Sequence, residues 1–122
     1  MRIKKYNPIK YCDDLWAEWV KLRDGKKCVK CGTEFELHSH HIIKRGVWNL
    51  RYDIDNGLTL CFYDHFHWLR QNPMDYIKWL NDKYPGLLDK LELKRYEKAR
   101  HDYTLLVICL ESEIRKLKRR QP

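Results

Sequence analysis

The sequence predicts an α+β chain with very little sheet. Three observations lead there. Apolar residues recur at helical spacing toward both ends. Two short runs, "FELHSHHII" and "LTLC", have strand character. Between and beside them lies "CVKCGTEFELHSHHIIKRG" (28–46), dense in cysteine and histidine. With 122 residues, 43% of them apolar, the chain can form one domain with a modest core.

The elements follow in order. Residues 13–23, "DDLWAEWVKLR", place Leu15, Trp16, Trp19, Val20 and Leu22 at helical spacing, and the "DG" at 24–25 stops the helix. "CVKCG" is a tight turn of the shape two thiolates need to share an ion. "FELHSHHII" and "LTLC" are strands, joined by "KRGVWNLRYDIDNG", a loop with turn chemistry at both ends. A helix starts just after Cys61, in "FYDHFHWLRQ". Another spans "NPMDYIKWLNDKY", with Asn72 as cap, Pro73 at the first helical position and Asp75 in the first turn. "YPG" at 84–86 breaks it. From Leu87 to about Arg119 the pattern predicts one long helix, with Leu106, Leu110, Ile114 and Leu117 on a single packing stripe. Cys109 is expected in the core and His101 on the solvent side of that helix.

Composition narrows the function classes. The net charge of +8 favours a polyanionic partner, with nucleic acid the commonest. Basic residues crowd "MRIKK" and "RKLKRR" and recur as Lys44, Arg45 and Arg51. No apolar run is long enough to span a membrane, and the first residues lack a signal-peptide core, so no membrane partner and a cytoplasmic location are expected. Five cysteines in that setting point to metal or free thiols rather than disulfides.

Cys28-x-x-Cys31 is half of a zinc site, because zinc takes four ligands in a tetrahedron, commonly from two separated turns. Cys61 in "LCFYDH" supplies the second turn. A second C-x-x-C would end at 64, which is Asp, and carboxylate oxygen is an allowed zinc ligand. The expected structural zinc set is Cys28, Cys31, Cys61 and Asp64, with His67 competing for the fourth place. His40 and His41 are adjacent in a strand, so their side chains take opposite faces and do not share one ion easily.

"HHI", then Asn56 in "DIDNG", then His65 after "LC", resembles the HNH endonuclease motif. Cys28-x-x-Cys31-Gly32 and Cys61 resemble the zinc-stapled branch of that family. The resemblance covers residues 11–73 and is similar to small HNH proteins of phages and mobile elements, phage recombination nucleases included. It implies a ββα-metal core with an N-terminal helix and a C-terminal helical extension. In domain terms, that is a nuclease domain with zinc-binding turns at 1–85 and a C-terminal helix with a basic tail at 86–122.

By motif position, the resemblance implies that His41 is the general base. It implies that His40 and His65 hold a catalytic divalent ion, and that Asn56 pins the loop that orients the base. It also implies metal-dependent hydrolysis of DNA phosphodiesters. Two imidazole ligands suit Mn²⁺ or Ni²⁺ at least as well as Mg²⁺. Lys44, Arg45 and Arg51 flank the catalytic loop and are the expected phosphate contacts. Trp48 is expected to anchor that loop. A homodimer through the C-terminal helix would allow both strands to be cut. The alternative is a non-catalytic zinc-stabilised module that binds DNA or protein, which needs the cysteines but not His41.

Overall fold

A computed structural model describes residues 6–98 and 101–120. The basic run at 1–5 lies outside them.

The first helix, α1, runs Pro8–Arg23 and so begins ahead of the apolar pattern. The cause is local. Asn7 is the N-cap and its side chain accepts from Lys10 N at 3.2 Å, while Pro8 fills the first helical position. One face of α1 is buried, through Cys12, Leu15, Trp16, Trp19, Val20 and Leu22.

Strands β1 (Leu37–His41) and β2 (Gly57–Cys61) form an antiparallel hairpin, with Leu37 opposite Cys61 and His41 opposite Gly57. Side chains alternate across it. Ser39 donates to the Ala17 carbonyl and Thr59 to the Val20 carbonyl, so odd positions meet α1. Leu58 packs with Tyr76 and Leu80, and Leu60 with Cys28 and Trp79, on the other face. Every β2 residue is buried. The hairpin is the middle layer of a helix–sheet–helix stack.

Gly57 is where α1 comes closest. A Cβ built there would sit 2.6 Å from both Trp16 Cζ2 and Val20 Cγ2. Gly57→Ala is therefore expected to destabilise the fold by about 1–3 kcal/mol through overpacking. A urea melt would read this as a lower midpoint at unchanged slope.

After β2 the chain enters a helical turn at once. Asp64–Trp68 form a π turn, closed by Leu69 N–H on the Asp64 carbonyl, and α2 (Leu69–Gln71) completes it. Asn72 does not cap the next helix as expected; its amide donates back to the Trp68 carbonyl at 3.0 Å. Helix α3 still starts at Pro73 and runs to Lys83, burying Tyr76 and Leu80.

The expected long C-terminal helix is two helices, α4 (Leu87–Lys94) and α5 (Tyr103–Arg120). One straight helix over that span would be about 50 Å long, against roughly 35 Å for a domain of this size. The two halves also have different partners. Leu91 of α4 packs under Ile43 and Leu50, whereas Leu110 and Ile114 of α5 pack on α1. His101 therefore lies in the connection, not on a helix, and its ring donates to the Trp48 carbonyl. Cys109 is exposed, contrary to its expected place in the core. The stripe of Leu106, Leu110, Ile114 and Leu117 packs against α1 of the same chain. That occupies the face expected to make a dimer. The buried cluster also joins α1 to α5 across the boundary expected at 85/86. No helix among the described residues is long and apolar enough to cross a membrane.

Candidate metal centre and histidine site

Two turns build the cysteine cluster. In the first, Gly32 adopts φ +82° and its N–H reaches the Cys28 carbonyl at 2.9 Å, while Cys31 N–H points at Cys28 Sγ at 3.5 Å. The positive φ is one that a side chain would oppose, which explains the glycine directly after Cys31. In the second turn, Asp64 N–H approaches Cys61 Sγ at 3.4 Å as the chain leaves β2. The two turns bring the Cys28, Cys31, Cys61 and Asp64 donor atoms within 4.8 Å of one another.

The distances fit a tetrahedral ion. Two sulfurs on one zinc lie about 3.8 Å apart, given Zn–S bonds near ~2.3 Å; Cys31 and Cys61 Sγ are 3.7 Å apart. Asp64 Oδ2 lies 3.2 Å from Cys28 Sγ and 3.3 Å from Cys61 Sγ. Asp64 is only 3% exposed, so its charge needs a counter-charge. Lys30 offers part of one at 4.0 Å, its ammonium also lying 4.1 Å over the Trp68 ring. Burial pushes the Cys61 thiol pKa up, so an ion binding there would displace a proton. The carboxylate is the fourth donor of this group. His67 is exposed and stacks on Tyr63 instead.

The histidines divide between the two faces of β1. His40 faces α3. Its Nε2 lies 2.9 Å from the Tyr76 hydroxyl and its ring is 5.0 Å from that of His65. Burial first, then the neighbouring imidazoles of His65 and His41, push the His40 pKa down to about 3. The ring is thus neutral across the physiological range. His65 is also lowered, by burial and then by His38 and Arg70, and its Nδ1 is buried without a hydrogen-bond partner. His38 lies 5.7 Å from His65, ring to ring.

His41 faces α1. Its ring stacks on Trp16 at 3.9 Å and 11°, and its Nε2 lies 3.0 Å from the Arg51 carbonyl. A carbonyl only accepts, so Nε2 carries the hydrogen and the neutral ring keeps its lone pair on Nδ1. Burial lowers the His41 pKa, with the Arg51 carbonyl opposing that shift.

Asn56 is fully buried between the strands and the loop that joins them. Its Oδ1 accepts from Ile43 N at 2.7 Å, and its Nδ2 donates to the Ile43 and Leu50 carbonyls at 3.0 and 3.1 Å. The amide closes both ends of the loop onto itself. Asn56→Ala would orphan the Ile43 amide and two carbonyls, at about 3 kcal/mol. Thermal melts against wild type check that figure, and Asn56→Asp should recover little because it cannot donate.

Lys44 and Arg45 are exposed in the turn after β1. Arg51 differs from its expected role as a phosphate contact. Its guanidinium is buried and held bidentately by Asp13, at 2.8 and 2.6 Å. Trp48 lies under it, 4.5 Å from ring to guanidinium, and is about half exposed. Sequence patterning did not single out Asp13, or Tyr76 beside His40. It counted Trp16 only as a core residue, because nothing local distinguishes a core ring from one placed against a histidine.

Residues 28–67 match the family model of the HNH endonuclease. No curated protein and no solved structure matches the chain. The matched segment holds the cysteine–aspartate group, both strands, His40, His41, Asn56 and His65, while α1 and the C-terminal helices lie outside it. With its hairpin followed directly by a helix, the segment that matches the HNH endonuclease model, residues 28–67, has the strand–strand–helix order of a ββα-metal fold.

Proposed function

We propose that this chain is a metal-dependent endonuclease that hydrolyses DNA phosphodiester bonds, with His41 as general base. The observation that carries the proposal is the His40–His65 pair, 5.0 Å apart, with Nδ1 of His65 buried and unpartnered. An orphaned ring nitrogen beside a second imidazole fits a divalent ion held by those two residues. When bound, the ion would supply positive charge against the charge that develops on the phosphate and the leaving oxygen.

The remaining roles belong to the chain's own groups. His41 gives its N–H to the Arg51 carbonyl and keeps the other nitrogen free to take a proton from water. Asn56 holds the loop that carries that carbonyl. Lys44 and Arg45 contact phosphate, a role that Arg51 gives up to its ion pair with Asp13. A structural zinc at Cys28, Cys31, Cys61 and Asp64 would tie the turn ahead of β1 to the end of β2 and the helix that follows it. The imidazole pair favours Mn²⁺ or Ni²⁺ at least as much as Mg²⁺.

One contact supports a second reading. The Tyr76 hydroxyl at His40 Nε2 gives that ring a purely internal partner, as a non-catalytic zinc module would. Supercoiled plasmid incubated with the zinc-loaded protein and Mn²⁺, Ni²⁺ or Mg²⁺ separates the two. Nicked circles that form with metal and not with EDTA support the nuclease; binding without conversion under any metal supports the module. Labelled RNA and DNA duplexes, run side by side, assign the substrate class.

A further inference from the structure

We infer that α1 is part of the catalytic apparatus: Asp13 and Trp16 are positioning residues that fix the ring of His41. The inference rests on His41 as the general base. Neither residue falls within the matched segment 28–67.

Two independent contacts converge on one imidazole. Trp16 lies flat on the His41 ring at 3.9 Å, and the pair is nearly parallel. The indole is itself fixed. Its Nε1–H donates to the Asp53 carbonyl at 2.8 Å, and it is 2% exposed. It also lies against Gly57, the residue directly across the hairpin from His41, where a side chain would collide with it. One ring thus covers the His41–Gly57 pair and removes the tilt available to the imidazole.

Asp13 controls the in-plane orientation. His41 Nε2–H points to the Arg51 carbonyl at 3.0 Å. Arg51 follows the 3-10 turn Trp48–Leu50, and its N–H closes that turn on the Trp48 carbonyl at 3.3 Å. Its side chain is clamped by Asp13 through two parallel charge-assisted bonds, 2.8 and 2.6 Å, and lies over the Trp48 ring. A bidentate arginine–carboxylate pair fixes direction as well as distance. The carbonyl that selects the His41 tautomer therefore belongs to a residue anchored to α1. A chain holding only residues 28–67 would contain the base and its acceptor, with neither support.

The test uses the full chain, zinc-loaded, with Asp13→Ala, Asp13→Asn and Asp13→Glu. In Asp13→Ala the nicking kcat should fall about 10- to 100-fold through loss of alignment, with KM for plasmid within about twofold, since no phosphate contact is removed. Asp13→Glu should recover part of the loss. The ¹⁵N resonances of the His41 ring report the tautomer without any turnover. They should show the proton on Nε2 in wild type and move toward mixed-tautomer values in Asp13→Ala.

If Asp13→Ala does not fold, the near-isosteric Asp13→Asn carries the same measurements. Unchanged kcat with unchanged ring resonances overturns the inference. So does a higher KM at constant kcat, which would make Asp13 a DNA-binding residue. If wild type cuts nothing, the nuclease reading fails, and the ring resonances alone decide whether α1 positions His41.

Discussion

With zinc in the cysteine–aspartate group as proposed, its removal should melt the hairpin and lower the thermal midpoint by more than about 10 °C. The magnitude follows from comparing two energies. Structural zinc contributes about 10–16 kcal/mol in small zinc-folded peptides, and whole domains are stable by about 5–15 kcal/mol. A two-stranded hairpin is marginal by itself, and β2 ends on Cys61, one of the four donors. Cys31→Ser removes a ligand at the exposed edge of the group and disturbs no core packing. Zinc content by mass spectrometry and circular dichroism melts, with and without a chelator, measure the effect. Matching melts for wild type and Cys31→Ser, with no zinc in either, would remove the metal from the account. Asp64→Cys should keep the ion, because the cluster geometry already places position 64 as its fourth corner. By contrast, the helices α1 and α5 share a cluster that contains no ligand, and their helical signal should outlast the hairpin.

His41→Ala should lower plasmid nicking by about 10²–10⁴-fold, the usual share of a positioned general base. Zinc content should be unaffected, since His41 touches no member of the cysteine group and faces α1 instead. A modest loss of stability is expected as well, from the vacated stack on Trp16 and the unpaired Arg51 carbonyl. His41→Asn keeps a donor near that carbonyl but has no basic nitrogen. It should restore some stability and no cutting, which separates the chemical role from the packing role. Equal nicking by wild type and His41→Ala would point to a contaminating nuclease.

Local chemistry made much of the architecture legible. "DG" ended α1 at Arg23, "LTLC" lay within β2, and the helix after Cys61 and the start of α3 at Pro73 stood where turn and cap residues put them. The Asn-Pro pair at 7–8 carried the same signal as the pair at 72–73, and only at 7–8 does the asparagine side chain cap. The difference is the residue four before Asn72: the Trp68 carbonyl at the end of a helical turn takes the amide first. The break between α4 and α5 was not visible, because the residues between them, "RYEKARHD" (95–102), include no glycine or proline to mark a stop, and the two helices differ in what they cover. Cys109 was misplaced for the same reason, since an apolar neighbourhood in sequence does not say which side of a helix is covered.

At the site, spacing pointed to the cysteine and aspartate donors, a C-x-x-C turn and a later cysteine with an aspartate three residues on, and showed that His40 and His41 alternate across a strand; the histidine roles came only from the family resemblance. Those patterns are short-range, set by the reach of one turn or the alternation of one strand. Tertiary structure alone decided that Asp64 rather than His67 stands with the three cysteines, and that the Arg51 side chain pairs with Asp13. It also decided that His41 rests on an indole from α1. Each of those outcomes depends on groups separated along the chain meeting in space. A side chain's partner is fixed by the packing of whole elements, which no local window of sequence contains.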